Sequence, residues 1–182
     1  MASREYFYPK SQAEWRSWLA ENGKTKSEIW LLCPHKCTGK PHVPYIEALE
    51  EALCFGWIDG IVKRYDENTV SRRFSPRSKK TSWSEVNKHH VRLLIKSGKM
   101  TPAGMSVLPD LNASANPYPV DILDELRKDG VVWENFCAFP EYYRNIRIAA
   151  IENCRQCQEK FRKSLDYFIE QTRRNRRYGR FR

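Results

Sequence analysis

FGWIDGIVKRYDENTVSRRFSPRSKKTSWSEVN, residues 55–87, is the stretch that decides the fold of this chain. It contains two short runs of strand-forming character, 58–65 and 69–75, which flank the turn-forming residues 66–68. Acidic and amide side chains between two such runs favour a tight reversal of the backbone. The sequence therefore predicts a β-hairpin, and the hairpin bears a high density of arginine and lysine.

Before the hairpin, the pattern predicts two helices and two strands. Ser11 and Glu14 form a capping-box pattern ahead of an amphipathic helix. The run 28–34 is apolar and of strand length, so it predicts a buried strand, and alternation over 5–9 predicts a second, short one. Pro44 suits the first turn of another helix.

After the hairpin, helical patterns dominate. Ser82 and Glu85 predict a second capping box that opens a helix ending near Gly98. Farther along, the sequence predicts an aromatic turn at 133–139 and three helices, at about 121–128, 140–153 and 156–172.

These elements predict an α+β fold, in which helices pack a small sheet with a β-hairpin and a helical C-terminal region follows. We expect an α+β domain over residues 1–110 and a Pro, Asn, Ala and Ser-rich linker or long loop over 111–120. A helical region over 121–172 and an Arg-rich tail over 173–182 complete the chain.

Positive charge is concentrated in two regions. The formal net charge is +10, of which residues 63–99 contribute +8 and residues 173–182 contribute +6, so the remainder of the chain is acidic. Clustered positive charge attracts anionic partners, of which nucleic acid is the commonest. The tail could alternatively dock on an acidic protein or an anionic membrane surface, or serve solubility alone.

The leading functional hypothesis is a basic, aromatic-lined surface that binds an anionic partner, nucleic acid above all. Arginine forks suit phosphate, and aromatic rings can stack on bases. The alternative for Trp57 and Trp83 is a place in the core. The candidate binding residues are Trp57, Asp59, Arg72, Arg73, Arg77, Lys79, Lys80, Trp83, Ser84 and Asn87.

An enzyme or a small-molecule-binding protein is the second hypothesis. In it, the same stretch forms a pocket for a phosphorylated or carboxylated metabolite, and Asp59 serves as a general base or holds Arg73 and Arg77 in place. A concave pocket would favour this hypothesis, whereas a flat basic surface would favour the first. No catalytic signature is evident.

Cysteine and histidine spacing raises the question of zinc. Cys33, His35, Cys37 and His42 are close in sequence, and Cys154 and Cys157 form a CxxC pair. Neither group resembles the paired turns of structural zinc sites, so we expect no metal or other cofactor and read the CxxC pair as core-facing residues of a helix. His89 and His90 are expected on the surface of their helix.

The N-terminus lacks the apolar segment of a secretory signal, and no run reaches the about 18 apolar residues of a membrane span. We therefore expect a cytoplasmic protein without a transmembrane segment.

Three ordered motifs resemble the YdeI/OmpD-associated family, whose members are also described as bacteriocin-protection proteins. The motifs are EALCFGWIDG at 51–60, RRFSPRSKKTSWSEVN at 72–87 and LIKSGKMTPAGM at 94–105. The resemblance implies a bacterial cytoplasmic α+β protein linked to stress or bacteriocin tolerance. It implies no catalytic residues and no cofactor.

Overall fold

A computed structural model of the chain describes residues 4–78, 81–111 and 118–179. Within those ranges it contains four strands, eight α-helices and one short 3-10 helix at Lys36–Thr38, which confirms the predicted α+β class. The strands are β1 Tyr6–Phe7, β2 Ile29–Pro34, β3 Trp57–Arg64 and β4 Thr69–Pro76. The helices are α1 Gln12–Asn22, α2 Tyr45–Cys54, α3 Glu85–Lys96, α4 Pro102–Met105, α5 Val120–Arg127, α6 Gly130–Ala138, α7 Glu141–Glu152 and α8 Gln158–Arg173.

The strands form one mixed sheet in the order β1-β2-β4-β3. Strands β3 and β4 pair antiparallel as the predicted hairpin, β4 also pairs antiparallel with β2, and β1 pairs parallel with β2. The hairpin therefore contributes both a central strand, β4, and an edge strand, β3.

By its internal contacts the chain divides into two compact units. The first unit comprises Met1–Ser82 and His90–Asp110, and the second comprises Trp83–His89 and Leu111–Arg182. Each unit has its own hydrophobic core.

The core of the first unit lies on one face of the sheet. Trp15 of α1, Ala52 of α2 and Phe74 of β4 are fully buried there. The indole N–H of Trp15 donates to the carbonyl oxygen of Ala48 (3.0 Å), so its burial leaves no donor unsatisfied. We call this the inner face of the sheet and the opposite one the outer face.

Serine side chains cap the first turns of α1 and α3. The Oγ of Ser11 accepts a hydrogen bond from the amide of Glu14 (3.2 Å), as the capping-box pattern predicts. The predicted cap of α3 is wrong: Ser84, not Ser82, accepts from the amide of Asn87 (3.2 Å). The helix consequently begins two residues later than a cap at Ser82 would require.

Helix α4 holds the end of α2 in place. The hydroxyl of Thr101 donates to the carbonyl oxygen of Cys54 (2.7 Å), which is one of the acceptors left open at a helix C-terminus. A Cβ on Gly104 would lie 2.2 Å from that same oxygen, so only glycine permits the approach. The contact fixes where α2 ends and β3 begins.

The second unit is helical. Its core is built mainly by α5 to α8, with Leu126, Phe136 and Phe168 fully or almost fully buried. The predicted aromatic turn at 133–139 is wrong, because α6 occupies that stretch. Its first turn is capped by Asp129, whose carboxylate accepts from the amides of Val131 and Val132 (2.9 and 3.2 Å).

The two adjacent histidines of α3 are buried, contrary to the prediction that they lie on the surface. In the first unit, Nδ1 of His90 lies 3.0 Å from a carboxylate oxygen of Glu50. In the second unit, the ring of His89 stacks on that of Tyr142 at 4.1 Å between centroids. A polar partner and a stacked ring explain how both imidazoles are accommodated away from solvent.

Candidate functional site

Arg72 and Arg73 are neighbours in β4 and point to opposite faces of the sheet. Residues paired directly across antiparallel strands share a face, and successive residues alternate. Arg72 pairs with the core residue Leu31, whereas Arg73 pairs with Trp30. The two arginines that the sequence places side by side therefore belong to different surroundings.

On the inner face, Arg72 is held by two side chains. Its guanidinium donates to a carboxylate oxygen of Asp59 (2.9 Å) and lies over the ring of Tyr45, 4.2 Å from the centroid. The Tyr45 hydroxyl donates to the same oxygen of Asp59 (3.0 Å). Burial, followed by the negative charge of Asp59, raises the pKa of Tyr45 to about 12. The carboxylate thus neutralises Arg72, and the phenol stays protonated at neutral pH.

A β-bulge changes the alternation in β3. Asp59 pairs with Phe74 and Val62 pairs with Arg72, so Gly60 and Ile61 together stand opposite Arg73. The extra residue reverses the faces of the residues that follow. Lys63 therefore lies on the outer face, paired with Ser71, instead of on the face that Asp59 occupies.

The outer face carries cations around one tryptophan. The Cζ atom of Arg4 lies 5.1 Å from the ring centroid of Trp30, and Nζ of Lys63 lies 5.7 Å from it. Arg73 donates to a carboxylate oxygen of Glu28 (2.7 Å), and the indole of Trp30 donates to the other oxygen (3.2 Å). The bond from Arg73, followed by that from Trp30, lowers the pKa of Glu28. Trp30 is only 3% exposed, so it lies beneath the charged side chains of this surface.

Two tyrosines extend the outer face beside this group. Tyr6 pairs with Trp30, and its ring meets that of Tyr65 edge to face, with centroids 4.9 Å apart. Tyr65 follows β3, and the two rings are 39% and 49% exposed. We refer to Arg4, Tyr6, Trp30, Lys63, Tyr65 and Arg73 as the outer-face cluster.

Trp57 and Arg77 do not lie on a binding surface. Trp57 is 1% exposed and donates its indole N–H to the carbonyl oxygen of Gly23 (3.0 Å), so the predicted stacking of a base on Trp57 is wrong. Arg77 is 6% exposed and donates to the carbonyl oxygen of Ser82 (2.5 Å). Burial lowers the pKa of this guanidinium, and its fork is directed into the protein.

The remaining candidate residues have local structural roles or lie outside the described residues. Lys79 and Lys80 fall outside the described residues. Ser84 and the amide of Asn87 form the cap of α3, and the side chain of Trp83 is half-buried. The backbone N–H of Asn87 therefore already donates a hydrogen bond to Ser84.

The residues of the hypothetical metabolite pocket do not converge. Asp59 lies on the inner face and Arg73 on the outer one, and Trp57 is enclosed in the core. The carboxylate of Asp59 binds Arg72 rather than the predicted Arg73. A pocket of about 240 Å³ in the first unit is mainly apolar and is lined by other residues, including Leu19, Phe55 and Pro102.

The described part of the Arg-rich tail is engaged by acids of the second unit. Arg173 contacts Asp129 (3.0 Å) and Glu170 (2.7 Å), and Arg174 contacts the other oxygen of Glu170 (2.7 Å). The amide of Tyr178 then donates to the hydroxyl of Tyr143 (3.1 Å). These contacts tie residues 173–178 to the helices.

Within the described ranges, no group of three or more His, Cys, Asp or Glu side chains is arranged so that it could hold a metal ion. Likewise, each helix of that part of the chain is too short or too polar to cross a membrane.

Sequence reasoning missed most of the outer-face cluster. Only Arg73 was among the candidates, whereas Arg4, Tyr6, Trp30, Lys63 and Tyr65 were not. One signal was available. Glu28 and Trp30 are two residues apart, so they share one face of the strand, and the charge of Glu28 indicates that this face is not purely apolar.

Comparison with known proteins identifies a family. A family model described as Domain of unknown function (DUF8412) matches residues 7–107, more than half of the chain. No curated protein and no solved structure matches. The predicted membership of the YdeI/OmpD-associated family is therefore wrong, and the implied link to bacteriocin or stress tolerance falls with it. The matched region runs from β1 through α4, and the chain belongs to the family described as Domain of unknown function (DUF8412).

Proposed function

We propose that this protein binds single-stranded nucleic acid on the outer face of its sheet. The observation that carries the proposal is the arrangement of Arg4, Lys63 and Arg73 around Trp30, with exposed tyrosine rings beside them. Cations that follow the phosphates and rings that stack on bases are the two parts of a single-strand site.

The charge balance of the outer face favours an anionic ligand. Among the described residues, no carboxylate lies within 4.0 Å of the charged groups of Arg4 or Lys63. In the same described part of the chain, Glu28 is the acid whose carboxylate contacts the cluster, and Arg73 is its ion-pair partner. Arg4 and Lys63 therefore remain available for phosphate oxygens, and the exposed side of Arg73 would provide a third contact.

The aromatic residues favour single strands over duplexes. The rings of Tyr6 and Tyr65 are partly exposed, and unstacked bases can lie against such rings without any sequence requirement. A duplex buries the faces of its bases and would contact only the cations.

The test is a binding titration with a fluorescent single strand and a duplex of the same sequence, each over a series of salt concentrations. Lys63→Ala and Arg64→Ala are a matched pair, because the two residues are adjacent, exposed and equally charged but lie on opposite faces. We expect Lys63→Ala to weaken single-strand binding and to reduce the salt slope by about one. Arg64→Ala should retain nearly wild-type affinity.

A ring variant completes the test. Tyr65→Leu should weaken single-strand binding by about 1–3 kcal/mol and leave duplex binding almost unchanged. Absence of binding at low salt would overturn the proposal. Equal losses in Lys63→Ala and Arg64→Ala would also overturn it, because they would indicate attraction by net charge without a defined surface.

A further inference from the structure

Cys154 and Cys157 lie in the turn that joins α7 to α8. Helix α7 ends at Glu152 and α8 begins at Gln158, so neither cysteine is in a helix, contrary to the sequence interpretation. Cys157 is exposed and occupies the N-cap position of α8, and Cys154 is half-buried. Cys154 packs against the core of the second unit as a partly buried residue, as the core-facing interpretation expects, whereas Cys157 is exposed.

The turn holds the two cysteines at a separation that a disulfide can bridge. The amide of Cys157 donates to the carbonyl oxygen of Cys154 (2.9 Å), which closes a four-residue turn. Such turns bring their first and last Cα atoms within about 7 Å. Disulfides span Cα separations of roughly 4.4–6.8 Å, so the turn brings the two Cα atoms into or close to the range that a disulfide requires.

Contacts of Arg155 keep this turn in position. Its guanidinium donates to both carboxylate oxygens of Asp121 (2.6 and 3.2 Å) and also to Glu152, and its Cζ atom lies 4.2 Å from the ring centroid of Phe161. Arg155, one of the two residues between the cysteines, therefore anchors the turn to α5 and to α8.

The two thiols are not equivalent. Cys157 is an exposed residue, whereas Cys154 is half-buried and its thiol donates to the carbonyl oxygen of Ala150 (3.6 Å) in α7. A small disulfide in solution would reach Cys157 first. Cys154 is then the adjacent group that can displace the resulting mixed disulfide.

We propose that Cys154 and Cys157 form a dithiol site that reacts with low-molecular-weight disulfides and closes to an intramolecular disulfide. The thiolate of Cys157 attacks one sulfur of the small disulfide, forms a mixed disulfide and releases one thiolate. The thiolate of Cys154 then attacks the sulfur of Cys157 and releases the second. The protein loses two electrons and two protons, and the small disulfide is reduced to two thiols.

The other cysteines provide controls. Cys54 is buried, and its burial, followed by the charge of Glu51, raises the pKa of its thiol to about 11. Burial likewise raises the pKa of Cys33. Cys37 and Cys137 are exposed and should form only mixed disulfides.

The experiment treats the full chain with glutathione redox buffers, blocks the remaining thiols, digests with trypsin and analyses the peptides by mass spectrometry. Arg155 lies between the cysteines, so cleavage separates peptides 148–155 and 156–160 unless a disulfide links them. We expect the linked pair in the wild-type protein and in a Cys37→Ser, Cys137→Ser variant. Cys154→Ser should lose the linked pair and accumulate a glutathione adduct on Cys157.

Dilution at a constant ratio of reduced to oxidised glutathione separates the two products. An intramolecular disulfide releases two thiols, so its fraction rises on dilution, whereas a mixed disulfide releases one and its fraction stays constant. Adducts on Cys157 without the linked peptides in the wild-type protein would overturn the proposal. A linked fraction that does not respond to dilution would overturn it as well.

Discussion

The two faces of the sheet use the same residue types in different ways. On the inner face, Arg72 is bound by Asp59 and covered by Tyr45, next to a core of tryptophan and phenylalanine. On the outer face, Arg73 shares one carboxylate with Trp30, while Lys63 lies near the ring of Trp30. Arginine next to aromatic residues can therefore stabilise the fold or remain accessible to a ligand, and burial distinguishes the two cases, because the ion pair of Arg72 is more enclosed than that of Arg73.

The largest contrast should come from adjacent residues of β4. Phe74→Ala removes a fully buried ring that packs on Trp15, so the free energy of unfolding should fall by about 3–5 kcal/mol. Arg73→Ala breaks only a surface ion pair and should cost less than about 1 kcal/mol. Urea denaturation of both variants measures the difference, and similar losses would contradict the assignment of faces.

Arg72→Ala should separate stability from binding. Both Asp59 and Tyr45 would lose their cationic neighbour in a partly buried setting, so the free energy of unfolding should fall by about 1–3 kcal/mol. Single-strand affinity should change little, because Arg72 is not on the outer face. A loss of affinity equal to that of Lys63→Ala, in protein shown by circular dichroism to be folded, would refute this separation.

The contacts of Tyr45 on the inner face should also alter a titration at high pH. The pKa of Tyr45 is raised in the folded state from the ordinary 10 to about 12, so the folded state keeps a proton that the unfolded state releases. This contribution to stability is complete below pH 10 and is lost as the pH rises towards 12.

The measurement compares the phenolate absorbance of wild type and Tyr45→Phe, whose difference spectrum should have a midpoint near that raised pKa. Asp59→Asn should lower the midpoint only in part, because burial is the larger cause of the shift. A midpoint at the ordinary value would show that burial and Asp59 do not keep the phenol of Tyr45 protonated.

Glu28→Gln should have the smallest effect on stability, less than about 1 kcal/mol, since the ion pair with Arg73 is largely exposed. The pKa of Glu28 is lowered, so its contribution is present above the ordinary 4.5 and is lost as the pH falls through the lowered value. At neutral pH the variant releases Arg73 and removes one negative charge. Single-strand affinity should therefore rise in the same titration, and a decrease would mean that Glu28 is needed to position Arg73.

Elements with strong local signals were predictable from the sequence. The hairpin followed from two strand-like runs around a turn, and the start of α1 followed from a serine with a glutamate three residues later. The cap of α3 was misplaced because two serines stand two residues apart, and the sequence does not show which of them precedes the first helical turn.

The residues of the outer-face cluster were harder to predict because they are assembled from separate segments. Arg4 precedes β1, Trp30 is in β2, and Lys63 is in β3, so no sequence window contains all three. Trp57 was misassigned for a related reason. It belongs to the same stretch as the basic residues of the hairpin, yet its position in β3 directs its ring to the inner face and into the core.

By itself, the sequence determined the fold class, the hairpin and the concentration of positive charge around it, because turn chemistry, periodicity and composition are local properties. Only the tertiary structure decided which of those charges lie on the outer face of the sheet. That decision depends on strand register and on the one-residue bulge at Gly60 and Ile61, which moves Lys63 from one face of the sheet to the other. A register is set by contacts between strands distant in sequence, so it emerges only when the sheet is assembled.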